Sequence, residues 1–492
     1  MKNLFKIKRK LTEILSVYGE GKDDGFLNYL PRFSLGLVVI LFITFLFPFE
    51  PYQSIFDYQG ISPGPWQVLL PIIVRFILIL SAVLIFLIFI YLLKREVLEN
   101  FSQLMMISLL VLAEMALTYF LVFQWNFSSY LIPVTLGSML LTFLLGYELG
   151  LIYSFVIGLL LGIILNFDFN LTFISIVTGS VATISVRGVK ERNKFYRPML
   201  YISLSYLVLI YFIETSKGNL PNEILEQCGY GIFNGFFSTI LTMGLLPVFE
   251  YLFDTTTDIT LLELMDLNNP LLKRLTMEAP GTYHHSIVVG NLAEAAAKQL
   301  DANPLLSRVG AYYHDIGKIE KPEYFVENQM GVKSKHEKLS PSMSALILES
   351  HVKEGVELAE RRHLPKKLID LIKEHHGTTL MTYFYKKALD QKDSKTDEAE
   401  FRYPGPKPRS KEAAILMLAD AVEAASRTLE DPKPARIMSL IRKIIMDKFE
   451  QGELEECELT LKDLHIIEES FLPILIGVFH PRVDYPQLVE EN

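Results

Sequence analysis

The chain has ten histidines, and all of them follow Tyr283: His284, His285, His314, His336, His351, His363, His375, His376, His465 and His480. Their settings matter more than their number. His314 and Asp315 are adjacent in YYHDIGK, at the end of a predicted helix that stops at Gly317, and His375 and His376 close another before Gly377. Adjacent ligands at a helix end can turn toward one point. His285 heads an amphipathic helix with Val288, Leu292 and Ala296, His351 sits mid-helix, and Asp420 lies inside the apolar string ILMLADAVEAA. A carboxylate on a face that otherwise reads as core needs a partner. Taken singly, each histidine reads as a hydrogen-bonded core residue. Taken together, imidazoles from several helices and two Asp carboxylates satisfy one another best by sharing divalent metals of the Mn or Fe kind, which take N and O ligands. Such ions activate water and neutralise anionic oxygens.

In chain order, His285, His314-Asp315, His351, His375-His376 and Asp420 resemble the ligand set of the HD-domain hydrolases, in their dinuclear branch. The strings APGTYHHS, YYHDIGK, EHHGT, LADAVEAASR and FHPRVDYP further resemble the seven-transmembrane HD cyclic di-AMP phosphodiesterases of the PgpH type, over the chain from about residue 30. The resemblance implies two metal ions. One would be held by His285, His314, Asp315 and Asp420, and the other by His351, His375 and His376, with Asp315 bridging both. His285 is preferred to His284 because the family motif has a His-Ser pair. The remaining histidines are expected at the surface or in packing, with His480 a lesser candidate for supporting the fold of the site.

The activity implied is hydrolysis of cyclic di-AMP to linear pApA, with Asp315 and Lys318 in catalytic roles. Hydroxide would attack in line at phosphorus, and Lys318 would pair with a nonbridging oxygen. The plain alternative for Lys318 is a solvated helix-end lysine. The family usually carries a sizeable extracellular domain after its first helix, and here only the loop from Glu50 to Gln67 occupies that place. Two other readings stand beside this one. The HD domain would bind a cyclic dinucleotide as a receptor without turnover, or act on another nucleotide such as cyclic di-GMP; for the latter, His375-His376 is followed by GTTLMTYFY and not by GYP. Adenine specificity rests on the resemblance alone.

The elements that must position these residues divide the chain in two. The 492 residues are 50% hydrophobic, high for a soluble protein. Apolar runs at about 33 to 49, 68 to 93, 102 to 123, 129 to 146, 149 to 166, 169 to 186, 199 to 214 and 229 to 252 each predict a helix, because lipid satisfies no open backbone group. The fourth to sixth are short and tightly linked, so a re-entrant or merged arrangement would lower the count of eight crossings. Lys and Arg collect in alternate links: KIKRK in the N-terminal tail, Lys94 and Arg95, then Arg187, Lys190, Arg192, Lys194 and Arg197. The Glu50 to Gln67 loop and the Gln124 to Ser128 link have none, and Thr215 to Cys228 has only Lys217. This asymmetry places both termini and the HD domain on the cytoplasmic side of the cell membrane. Arg75 and Glu114 fall inside apolar runs and read as an interface arginine and a helix-to-helix hydrogen bond.

The expected architecture is therefore all-α. Residues 1–29 form a retained cytoplasmic tail, 30–252 a multi-pass transmembrane bundle, 253–274 a capped linker helix ended by Asn-Pro, and 275–492 a helical HD domain. Pro341 and Pro365 sit where first-turn prolines belong. The polar segment from Ala388 to Ser410 is expected as a mobile loop over the site or a solvated insertion. Cys228 and Cys457 are too far apart to build a disulfide framework or a CxxC metal site. Net charge is −9, which argues against long nucleic acid as a partner and leaves one small anion, the cyclic dinucleotide, together with the lipid bilayer. Homo-oligomerisation stays open.

Overall fold

The computed structural model describes residues 30–47, 65–329, 334–391 and 397–479. Among them the fold is helical, with a single isolated bridge between Leu380 and Arg402 and no strand. The N-terminal tail, most of the Glu50 to Gln67 loop and His480 lie outside the described residues. The chain divides into two compact units, residues 1–259 and 260–492.

The first unit contains α1 (Leu30–Leu46), α2 (Pro65–Leu93), α3 (Arg95–Glu99), α4 (Phe101–Thr118, continued by a π turn to Gln124), α5 (Val134–Leu145), α6 (Tyr147–Ile164), α7 (Phe169–Val186), α8 (Tyr196–Ser216) and α9 (Pro221–Phe253). The division falls within α10 (Asp258–Met265). Six helical stretches are long and apolar enough to cross a membrane, and two shorter ones, Leu35–Leu46 and Ser129–Leu145, occupy the first and fourth predicted runs. The fourth is cut short by its ends. Gly146 at φ 106° breaks it from α6, in a backbone region that favours glycine. With 12 residues α5 is about 18 Å long. Nearly all of it is buried, as expected of a helix that is apolar all round and wrapped by others.

Polar groups inside this unit are spent on holding helices together. The Glu114 carboxylate accepts from the Gly137 amide at 2.8 Å and from the Tyr153 hydroxyl at 3.0 Å, which ties α4 to α5 and α6. Arg75 is buried, and its guanidinium donates to the Phe47 carbonyl at 2.9 Å, just past the end of α1. The Asn234 amide on α9 donates to the carbonyls of Tyr130 and Ile132 at 2.8 and 2.7 Å. Those carbonyls lie where the chain before α5 is not α-helical, so they need a side-chain donor in place of a helical one.

The second unit runs through α11 (Pro270–Glu278), α12 (Pro280–Ala297), α13 (Pro304–Tyr313), α14 (Pro341–Arg361), α15 (Lys366–Glu374), α16 (Thr382–Asp390), α17 (Lys411–Ser426), α18 (Pro434–Glu450) and α19 (Leu461–Val478). Starts are set by side-chain caps. Asn269, Asn303, Ser340 and Ser410 each accept a backbone N–H of the helix they precede, and proline follows directly after the first three. Pro365 is the cap residue of α15 and not its first turn. The linker differs from the single helix expected. Asn269-Pro270 opens α11 as well as closing the stretch before it, and Leu261, Leu271, Leu272 and Leu275 are buried in the core of this unit. Around α17, whose residues Ala413 to Ala419 are buried without a break, pack Val289, Leu292, Ala293 and Ala296 of α12, Val309 of α13, and Leu368 and Ile372 of α15.

Candidate metal centre

Five helices each deliver part of one cluster. His285 comes from the first turns of α12, His314 caps the C-terminus of α13 with Asp315 directly after it, and His351 lies in the middle of α14. His375 caps α15 with His376 next, and Asp420 is on the buried helix α17. The close approach of the Asp315 turn to α14 requires glycine at 317, because a Cβ there would stand 1.9 Å from the His351 carbonyl oxygen.

Asp315 divides the cluster. Its Oδ2 lies 3.2 Å from His314 Nε2 and 3.7 Å from His285 Nε2, while Oδ1 lies 3.3 Å from His351 Nε2 and 3.7 Å from His375 Nε2. Asp420 joins the first group through Oδ1, 3.0 Å from His285 Nε2, and turns Oδ2 toward His376 Nδ1 at 3.6 Å. Two sets result, His285 with His314 and Asp420, and Asp315 with His351, His375 and His376; within each the ligand atoms lie within 4.8 Å of one another.

Second ring nitrogens set the imidazole tautomers. His314 Nδ1–H donates to the Ala311 carbonyl at 2.7 Å, His375 Nδ1–H to Ile372 at 2.8 Å, and His351 Nδ1–H to Leu348. Each acceptor is three residues back on the residue's own helix. His285 Nδ1–H donates instead to Glu423 at 2.5 Å, and Glu423 is held from outside by Arg427 at 2.6 Å. All four rings therefore turn a bare Nε2 inward. His376 is the exception, with Nδ1 toward Asp420 and its ring stacked on Tyr403 at 4.2 Å.

The donor set fits a divalent cation. Buried His285 Nε2, His314 Nε2 and both Asp315 oxygens have no hydrogen-bond partner, although Lys318 Nζ lies 2.7 Å from Asp315 Oδ2. Orphaned N and O atoms of this kind are costly unless an ion takes them up. The electrostatics agree. Burial opposes charge on His314, yet the Asp315 and Asp420 carboxylates outweigh it and push that imidazole up to about 10, a measure of how strongly the cluster favours positive charge at this point. Burial also works against ionised Asp315, but His314 and Lys318 hold it well below the carboxylate range. Burial and the charge on His314 push His375 down to about 3, and burial lowers His376 as well, leaving both as neutral donors.

Lys318 is not a solvated helix-end lysine. It is largely enclosed between Asp315 and Glu327, its side chain 13% exposed and Nζ 2.8 Å from the latter, and desolvation, which disfavours its charge, is outweighed by the two carboxylates. A cavity of about 690 Å³ opens over the cluster, walled by Tyr324, Phe325, His336, Phe384 and Tyr403 and rimmed by Lys387 and Arg427. That volume is in the range of small-ligand sites. His284, His363 and His465 are exposed, as expected, whereas His336 is buried and donates from Nε2 to the Tyr324 carbonyl at 2.9 Å.

Of the segment from Ala388 to Ser410, expected as a mobile loop over the site or a solvated insertion, residues 389–391 and 397–400 are exposed, whereas the part around Phe401 is packed and Tyr403 lines the cavity. Phe401 is fully buried, Arg402 donates to the Thr378 carbonyl at 3.0 Å, and Tyr403 backs His376. The stretch is anchored because it follows the turn after the His pair, which is also held from α18 and the turn beyond it by Lys448 on Thr379 and Glu453 on Thr378. Residues 392–396 lie outside the described ones. Sequence reasoning passed over Glu423, Glu327, Arg427 and Tyr403. Glu423 was open to inference, since it lies three residues after Asp420 on the same face of an apolar helix; Tyr403 carried no local signal.

Comparison with known proteins fits this arrangement of two units. Residues 69–257 match the family described as 7TM receptor with intracellular HD hydrolase, and residues 282–425 match the HD domain family. The chain is a membrane protein and belongs to the HD-domain proteins that carry a seven-transmembrane module. Within that class it is similar to the cyclic-di-AMP phosphodiesterase PgpH of Bacillus subtilis strain 168, 38% identical over 393 residues that make up 78% of this chain and 55% of the relative. PgpH of Listeria monocytogenes is 41% identical over 64% of this chain and 44% of the relative. The chain thus spans about half the length of the curated relatives it matches. Among solved structures, the L. monocytogenes PgpH HD domain in complex with cyclic-di-AMP is 47% identical, covering 44% of this chain and all of that one, with a TM-score of 0.42.

Proposed function

We propose that the second unit is a cytoplasmic, dinuclear phosphodiesterase that opens cyclic di-AMP to linear pApA. The observation that carries this reading is Asp315, whose two oxygens each face a separate pair of inward-pointing imidazoles. Similarity to two PgpH proteins named for that activity supplies the substrate class. His285, His314, Asp315 and Asp420 would hold one ion and His351, His375 and His376 the other, with Asp315 shared; Mn or Fe suits such N and O donors. Two bound ions would supply an activated water and charge neutralisation at phosphorus.

The chain's own residues do the rest. Glu423 fixes the His285 ring, and His314 and Lys318 together favour the ionised form of Asp315. The Lys318 ammonium faces the cluster, charged and at the cavity wall, where a nonbridging phosphate oxygen can pair with it. Aromatic walls above the cluster offer flat apolar surface to a base and exclude bulk water. Arg427 and Lys387 at the rim favour entry of a dianion.

The test is hydrolysis by the full chain in detergent with added Mn, cyclic di-AMP beside cyclic di-GMP, and Asp315→Ala as control. The expected result is linear pApA from cyclic di-AMP, abolished in the control. Tight metal and nucleotide binding with no turnover of either substrate would replace the enzyme by a receptor.

A further inference from the structure

The first unit carries an exposed furrow that is apolar along its walls and cationic at one end. It lies between α7 and α8 and has a volume of about 720 Å³. Its walls are apolar, Val177, Val181 and Ile184 against Leu204 and Val208, and its end is cationic, with Arg187, Lys194 and Arg197. From Arg187 to Arg197 the chain carries five Lys or Arg and one acid, Glu191. That acid is already taken by Lys194 at 2.6 Å, and Lys190 pairs with Asp258 at 2.9 Å. Among the described residues no ion pair uses Arg187 or Arg197. Arg187 lies over the Tyr147 ring at 4.1 Å, and Arg197 donates from Nε to the Tyr196 hydroxyl at 3.2 Å.

We propose that this groove binds one anionic glycerophospholipid, its phosphate against Arg187 and Arg197 and one acyl chain along the α7 and α8 walls. Each half of the furrow selects a different half of the molecule. Apolar walls are rewarded by any acyl chain, so they give affinity without discrimination. Two guanidinium forks without carboxylate partners match phosphate oxygens and favour a headgroup with net negative charge over a zwitterion whose ammonium would meet the same cations. Free phosphate lacks the apolar part, and a second copy of the chain would have to present acids to this end. The inference rests on the membrane setting of the first unit and not on the chemistry of the metal centre.

The experiment is native mass spectrometry of the full chain, purified in detergent and exchanged into equal amounts of phosphatidylglycerol and phosphatidylcholine. The expected result is a retained adduct of one phosphatidylglycerol, preferred several-fold over phosphatidylcholine. Arg187→Gln with Arg197→Gln should bring that preference close to one. Val181→Trp, which fills the furrow, should lower retention of both lipids, and Arg95→Gln in another link should change neither. Equal retention of the two lipids by the unaltered chain overturns the proposal without recourse to any variant. So does a preference that survives the double substitution, binding of inorganic phosphate as strong as that of phosphatidylglycerol, or a lipid-free dimer closed through this face. No outcome depends on nucleotide turnover, so failure here and failure of the phosphodiesterase reading are separable.

Discussion

Glu423 touches no substrate atom in the proposed mechanism, yet it is the side chain that determines which nitrogen His285 offers. Replacing it with Gln keeps the shape and removes the charge that holds the Nδ1 proton. The expected outcome is a 10- to 100-fold loss of metal affinity at the His285, His314 and Asp420 set, measured by isothermal titration with Mn. Unchanged affinity would leave Glu423 as a simple anchor for Arg427. His336 yields a different prediction. Burial lowers its affinity for a proton below the ordinary value near 6.5, with Lys387 adding to the effect and the Tyr324 carbonyl opposing it. The unfolded chain therefore gains a proton that the folded chain resists, so the stability contributed by neutral His336 is complete above 6.5 and falls as pH drops through that value. Melting of the full chain at pH 7.5 and pH 5.5 should show a larger acid loss than the same pair of melts for His336→Gln. Equal losses would remove His336 from the account.

Helix ends, more than helix faces, build the cluster, and this explains what was legible in advance. His314-Asp315 and His375-His376 stood out because a ligand pair before glycine marks a helix terminus in any sequence, and Asp420 because a carboxylate in an apolar run has no solvent to face. The turn after His376 and the stretch holding Tyr403 were not legible, because their order comes from Phe401 packing and from Lys448 and Glu453 on a distant part of the chain. The near-complete burial of α5 was not legible for a related reason, since an apolar helix facing lipid and one wrapped by other helices have the same composition. The approach of two elements at Gly317 has a test of its own. Gly317→Ala places a methyl group 1.9 Å from a backbone oxygen that cannot move freely. The expected cost is about 1–3 kcal/mol, together with displacement of Asp315 from His351. Metal content per chain should fall below that of the unaltered protein, and full content at unaltered stability would refute the argument.

At the level of the whole molecule, the two units own separate apolar cores, one built from residues up to Ile259 and the other from Leu261 onward. Metal bound to the second unit stabilises that unit by mass action. A chelator should therefore lower one calorimetric transition and leave the other in place, and a uniform shift of both would mean that the cores do not melt independently. The cluster also has a property that no survey of side chains would reveal. Three of its imidazoles are oriented by main-chain carbonyls three residues back, Ala311, Leu348 and Ile372, and every residue type carries a carbonyl. An alanine scan would thus register the ligands and miss what aims them. Conversely, the seven ligand residues transplanted onto another helical scaffold would bind poorly unless the terminal turns came with them, because half of the blueprint is written in backbone conformation and not in amino-acid identity.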